Sequence, residues 1–102
     1  MLASFTVVPV GAGEALSEHV ARILAIVDDS GLDYRLGAMQ TTVEGDAGEV
    51  MALIMKCHAA MREVSSRGLT SITLDDREGA TGRLTGTVAD VERVLGKKLS
   101  HE

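Results

Sequence analysis

Aromatic side chains are scarce in this sequence of 102 residues, and tryptophan is absent. Phe5 and Tyr34 together make up 2% of the chain. Proteins that read single-stranded nucleic acids usually stack bases on aromatic rings and hold the phosphates with basic side chains. The formal net charge of this chain is -5. We therefore expect neither a nucleic acid nor an anionic membrane surface as its partner.

Cysteine is also scarce, and long apolar segments are absent. Cys57 is the single cysteine, and one thiol can form neither an internal disulfide nor a multi-cysteine zinc site. No apolar run approaches the roughly 20 residues that span a bilayer, and no N-terminal pattern resembles a secretion signal. The hydrophobic share is 45% and the charged share is 25%, which is typical of a globular protein. We expect one domain over residues 1–102, located in the cytoplasm.

The periodicity of the apolar residues predicts seven elements in the order β-α-β-β-α-β-α. Apolar spacings of three and four residues predict three helices, and β-rich or alternating segments predict four strands. This order is typical of a ferredoxin-like α+β sandwich with an additional C-terminal helix, whose four-stranded antiparallel sheet has the strand order 4-1-3-2. The strands are expected at about 2–10, 33–36, 40–44 and 69–76, and the helices at about 17–30, 46–67 and 84–95.

Polar residues and glycines mark the expected helix ends. Ser17 is a good N-cap candidate for the first helix. Asp46 starts the second helix, and Glu49 follows three residues later, as in a capping box. Gly68 is expected to end that second helix.

One face of the predicted sheet is expected to lie away from the first two helices. If Phe5, Val43 and Ile72 point toward the helices, the period of two assigns hydroxyl and carboxylate residues to the opposite face. That face is either solvated, or a polar platform for a ligand, or a dimer interface. Thr41 would lie on the helix side, where its hydroxyl needs a partner. The opposite face would carry Ser4, Thr6, Val8, Thr42, Glu44, Ser71, Thr73 and Asp75.

The sequence offers little support for catalysis or metal binding. The carboxylates Glu44, Asp75 and Asp76 lie near strand ends rather than in an evident apolar pocket, so acid–base chemistry is weakly supported. His19 and His58 lack companions at metal-ligand spacing and are interpreted as helix-surface residues. We expect no catalytic residue, no metal and no cofactor.

Five short motifs resemble the small thiamine-binding protein family. The resemblance covers nearly the whole chain, and it rests on the order and spacing of the motifs together rather than on any one of them. The motifs are VPVG at 8–11, SEHV at 17–20, SGLDY at 30–34, MQTTVEG at 39–45 and ITLDDR at 72–77.

This resemblance implies a ferredoxin-like subunit that forms homodimers through its sheets, often paired again into homotetramers. It also implies a pocket for thiamine or for its hydroxymethyl-pyrimidine part. Glu44 is the main candidate for contact with the aminopyrimidine, because a carboxylate can accept a hydrogen bond from an amino group or a protonated ring nitrogen. The full set of ligand-binding candidates is Ser17, Thr41, Thr42, Glu44, Asp75 and Arg77, with Asp76 matching the same family motif as its two neighbours.

Two positions depart from the family pattern. Gln40 stands where the family usually has glycine, and Thr73 stands where it usually has lysine. A larger side chain at Gln40 would narrow the pocket, and the loss of a lysine would change the local charge. The leading hypothesis is a non-catalytic binder that senses, stores or delivers its ligand. The alternatives are a cofactor-free enzyme on a dimeric ferredoxin-like scaffold, and a structural or regulatory oligomer without a ligand.

Overall fold

A computed structural model describes residues 1–13 and 16–100 of the chain. It confirms the predicted element order and class, with four antiparallel strands in the spatial order β2-β3-β1-β4. Within these residues no helix has both the length and the apolar character needed to cross a membrane. The elements are β1 (Leu2–Pro9), α1 (Leu16–Asp29), β2 (Asp33–Leu36), β3 (Thr41–Glu44), α2 (Ala47–Arg62), β4 (Gly68–Asp75) and α3 (Arg83–Leu95).

The sheet register confirms the predicted faces. Phe5 lies opposite Thr41 on β3 and opposite Ile72 on β4, so these three residues share the face that α1 and α2 cover. The apolar core forms between this face and the two helices. Because no tryptophan is available, aliphatic side chains and one phenylalanine fill it. Its buried members are Ala3, Phe5, Ile23, Val27, Val43, Val50, Leu53, Ile54, Cys57, Ala60 and Met61.

The helix ends differ from the sequence-based expectations. Ser17 is not an N-cap, because the helical conformation already includes Leu16. Asp46 does occupy the N-cap position of α2 with extended backbone angles, but its side chain makes no capping hydrogen bond. The same helix ends at Arg62, where the amide of Glu63 bonds back to the Ala60 carbonyl in a tightened turn. Gly68 instead begins β4, since the chain needs the intervening residues to reverse its direction.

Helix α3 lies on the other face of the sheet, across β2 and β3. Glu44 points to that face because its neighbour Val43 points into the core, and its carboxylate holds the start of α3. No residue of α3 is buried, and Val91, Val94 and Leu95 remain exposed. The β1 and β4 half of the same face is less covered, since α3 packs mainly against β2 and β3.

Candidate functional site

An apolar groove opens between the first turns of α1, strand β1 and the connection from β2 to β3. We call it the α1 groove and define it by Phe5, Val7, residues 16–24 on their sheet-facing side and residues 36–41. Its volume is about 240 Å³. Pockets for drug-sized ligands usually measure about 300–1,000 Å³, so this groove suits one small ring with its substituents.

The groove exists because the apolar stripe of α1 extends beyond the core. Ile23 and Val27 are buried against the sheet and α2, whereas Leu16 is 55% exposed and Val20 is 43% exposed. On the opposite wall, Met39 is 87% exposed. Several large apolar side chains therefore meet at an open surface rather than in the interior. Exposed apolar surface of this kind typically marks a binding site for a ligand or a partner.

A few polar groups accompany these apolar walls. Thr41 is buried at the start of β3, and the exposed Gln40 precedes it. His19 also lines the groove, and its Nε2 atom is buried without a hydrogen-bond partner in the described residues. A mostly apolar cavity with a small number of polar groups is the usual composition of a small-molecule site.

A second, polar cleft lies at the far end of β3. Both carboxylate oxygens of Glu44 accept hydrogen bonds there, one from the Arg83 amide at 2.8 Å and one from the Leu84 amide at 3.1 Å. These amides belong to the first turn of α3, which is the positive end of the helix dipole. Glu44 therefore acts as a cap for α3. The cleft has a volume of about 230 Å³ and is lined by Met1, Leu2, Glu44, Asp75, Arg77, Ala80, Arg83 and Thr87.

Ion pairs compensate part of the charge around this cleft. The Arg83 guanidinium donates to Asp90 at 2.8 Å, and this hydrogen bond lowers the pKa of the Asp90 carboxyl below its usual value. The N-terminal ammonium of Met1 donates to the Gly45 carbonyl oxygen at 2.8 Å. Much of the local polarity thus serves to attach α3 and the start of β1.

The sequence-predicted site residues fall into separate places. Thr41 lines the α1 groove, whereas Glu44, Asp75 and Arg77 line the polar cleft. Thr42 lies between them, with its hydroxyl 3.1 Å from that of Ser4. A strand rises about 3.3 Å per residue, so the backbones of Thr41 and Glu44 lie about 10 Å apart.

Thr41 and Glu44 also differ in direction, since Thr41 faces the helices and Glu44 faces α3. Within one subunit, a single small ring cannot contact both side chains. Ser17 is exposed on α1, next to groove residues but not among them. Its ligand contact stays a prediction, as do those of the other candidates.

Sequence reasoning missed the groove itself. Leu16 and Val20 belong to the same helical stripe as the core residues, and periodicity cannot distinguish a covered position from an open one. The sequence also predicts an ordinary surface histidine at position 19, because His19 has no companion at metal-ligand spacing.

Comparison with known proteins relates the whole fold to one family. A family model described as thiamine-binding protein matches residues 3–92. A UPF0045 protein of Mycobacterium bovis is 40% identical over 96 residues, which is 93% of this chain and 94% of the relative.

Solved structures agree on the fold. A hypothetical protein from Methanocaldococcus jannaschii superposes with a TM-score of 0.76 at 22% identity, over 94% of this chain and 95% of that one. A Thermotoga maritima protein, provisionally assigned to thiamine biosynthesis or salvage, superposes with a TM-score of 0.75 at 24% identity, over 88% of this chain and 96% of that one. At these identities the likeness concerns the fold alone.

Proposed function

Because the chain belongs to the thiamine-binding protein family, as its motifs predicted, we propose that it binds thiamine, or the hydroxymethyl-pyrimidine part of thiamine, without catalysing a reaction. Sensing, storage and delivery are the roles that such binding would serve. The observation that best supports the proposal is the α1 groove, which combines apolar walls with a few polar groups at a size suited to one ring.

The α1 groove is the better candidate for the pyrimidine ring than the polar cleft. A methyl-substituted pyrimidine can bury its carbon atoms against Val20 and Leu36, which otherwise face solvent. The amide of Gln40 offers both a donor and an acceptor, matching the amino group and ring nitrogens of the ligand. In the polar cleft, the carboxylate oxygens of Glu44 already accept bonds from α3. Contact between Glu44 and a ligand in the groove would require a second subunit.

We also propose that the protein assembles into a homodimer or homotetramer in the cytoplasm. The less covered β1 and β4 half of the sheet and the exposed apolar residues of α3 lie on the same side of the molecule. Burying such surface against a second copy would stabilise a domain as small as this one. Analytical ultracentrifugation at micromolar concentration should show more than one subunit per particle, and a clean monomer would contradict this assembly.

Calorimetric titration with thiamine and with the free hydroxymethyl-pyrimidine tests the function. We expect the parent protein to bind at least one of them, and we expect Val20→Trp to weaken binding by about tenfold or more because the indole fills the groove. Met55→Trp is a matched control, since Met55 is an exposed apolar residue of α2 that does not line the groove. It should leave the affinity unchanged.

No binding to the parent protein, or equal binding by Val20→Trp, would overturn the groove as the ligand site. Mass spectrometry of gently purified protein provides an independent reading, because a tightly held ligand should co-purify. Proton NMR of the bound ligand over several hours distinguishes binding from turnover. Conversion of the ligand would favour an enzyme on this scaffold instead.

A further inference from the structure

His19 is the polar exception on the α1 wall of the groove. It lies between Leu16 and Val20 along the helix, and all three residues line the groove. The Nε2 atom of His19 is buried and has no hydrogen-bond partner in the part of the chain that the structure describes. Buried polar atoms are nearly always hydrogen-bonded in folded proteins, because leaving one unpaired costs stability. Within the described residues, His19 therefore carries an unmet hydrogen-bonding group next to this wall.

The other histidine in the described residues shows the ordinary arrangement. His58 on α2 places its Nδ1 atom 2.6 Å from the Thr70 hydroxyl on β4, so this ring is anchored inside the fold. His58 and His19 are both half-buried helix residues. Their difference is that the described part of the fold supplies a partner for His58, whereas it leaves Nε2 of His19 unpaired in a side chain that lines an open groove.

We propose that His19 is the hydrogen-bonding anchor of the α1 groove, and that its imidazole turns toward the groove to contact a polar atom of the bound heterocycle. This inference rests on the proposed function and adds to it the residue that selects the ligand. A neutral imidazole can donate from one nitrogen and accept at the other, so it can pair with an amino group or with a ring nitrogen. A carbocyclic ring of the same shape would fill the groove but leave His19 unpaired.

Such a site discriminates strongly against ligands that lack the polar atom. A binding site that contains a buried hydrogen-bonding group rejects an analogue that cannot pair with it, because that group then stays unsatisfied in the complex. The apolar walls of the groove distinguish ligands mainly by size, which gives weaker selection. His19 is therefore expected to set chemical specificity, whereas Val20 and Leu36 set shape.

The unpaired atom gives this role a distinctive signature. Replacing His19 by phenylalanine keeps an aromatic ring in place and removes the unsatisfied nitrogen. The free protein should then melt at the same temperature as the parent or higher, while its affinity for the pyrimidine falls. A residue with a purely structural role would change in the opposite way, losing stability and keeping affinity.

The experiment compares the parent with His19→Phe, His19→Gln and His58→Phe, using hydroxymethyl-pyrimidine as the probe in calorimetric titrations and thermal melts. We expect His19→Phe to bind about tenfold more weakly or worse, without a lower melting temperature. His19→Gln, whose amide reaches about as far as Nε2, should restore most of the affinity. His58→Phe should melt at a lower temperature because it leaves the Thr70 hydroxyl unpaired, and its affinity should stay within about twofold.

Nitrogen NMR of the parent protein supplies a reading that does not depend on any variant. The imidazole nitrogen signals of His19 should shift when the pyrimidine is added, and those of His58 should not. Binding by the parent together with unchanged affinity in His19→Phe, or with unmoved His19 signals, would overturn the role of His19 and leave the proposed function standing. No binding by the parent would overturn both.

Discussion

Replacement of Glu44 by glutamine tests how α3 is attached to the sheet. In the parent, both carboxylate oxygens of Glu44 accept backbone hydrogen bonds from the first turn of α3, and its negative charge lies at the positive end of the helix dipole. Glutamine keeps the length and shape of the side chain. It offers one carbonyl oxygen, however, and its amino group faces a second donor. One helix amide therefore loses its acceptor, and the charge at the dipole disappears.

The expected loss of stability follows from these contacts. Hydrogen bonds to charged groups contribute about 1.5–3 kcal/mol and neutral ones about 0.5–1.5 kcal/mol. Loss of a helix cap typically costs about 0.5–2 kcal/mol. We therefore expect Glu44→Gln to lower the free energy of unfolding by about 1–2 kcal/mol. In a domain of this size that corresponds to a melting temperature lower by about 5–15 °C.

Thermal melts and hydrogen exchange of the α3 amides measure this effect together. No residue of α3 is buried, so part of the loss can take the form of faster exchange confined to residues 83–95. Asp46→Asn is the matched control, because the side chain of Asp46 sits at a helix N-cap but makes no capping bond. Unchanged melting and unchanged exchange in Glu44→Gln would refute the capping role.

The same variant also decides between the two candidate positions of the ligand. If the pyrimidine binds in the α1 groove of a single subunit, Glu44→Gln should keep the affinity within about twofold at temperatures where the protein is folded. The sequence-based expectation, in which Glu44 contacts the ligand, predicts affinity weaker by about tenfold to a hundredfold, from the loss of a charge-assisted bond. A loss of that size would show that Glu44 reaches the ligand, either in the polar cleft of its own subunit or in the groove of a second subunit.

Three further predictions concern stability and titration. Because Arg83 lowers the pKa of Asp90 below its ordinary value of 3.8, this pair stabilises the fold above pH 3.8, and the stabilisation is lost as the pH falls through the pKa of the folded state. Asp90→Asn should therefore reduce the fall of the melting temperature at acid pH. An unchanged plot of melting temperature against pH would contradict this. Met61→Ala should lower the free energy of unfolding, measured in urea, by about 2–5 kcal/mol, because Met61 is fully buried. A loss below about 1 kcal/mol would mean that the surrounding core collapses into the cavity. The hydrogen bond that Tyr34 donates to Asp28 raises the pKa of the Tyr34 hydroxyl above 10.0. Asp28→Asn should therefore shift the ultraviolet titration of Tyr34 to lower pH. An unshifted titration curve would show that this hydrogen bond does not raise the pKa.

The fold was predictable because its signals are local and repeated. The alternation of β1 and the apolar spacing of α1 and α2 each persist over several residues, and the order of elements then selects the strand order. The end of α2 was missed because Val64 continues the apolar spacing, although the chain turns before it to reach β4. The spacing of apolar residues does not indicate where the chain must turn.

The candidate site was less predictable because it depends on contacts between distant segments. The motif MQTTVEG groups Thr41 with Glu44 along the chain, but the strand that carries it sends the two side chains to different faces. The role of Glu44 as a cap depends on a helix 39 residues further on. That a nitrogen of His19 has no partner among the described residues is likewise a property of the packed structure, since no local pattern specifies which histidine finds a partner.

The single thiol of the chain lies at the centre of its core. Cys57 is fully buried among aliphatic side chains, and burial raises the pKa of its thiol to about 11. A thiol reagent can therefore reach it only when the molecule opens, so the labelling rate in plain buffer measures how often that happens. Any molecule that binds the folded form suppresses opening, and at one hundred times its dissociation constant it would slow labelling about a hundredfold. The labelling rate of Cys57 can thus be used to detect ligands of the unmodified protein.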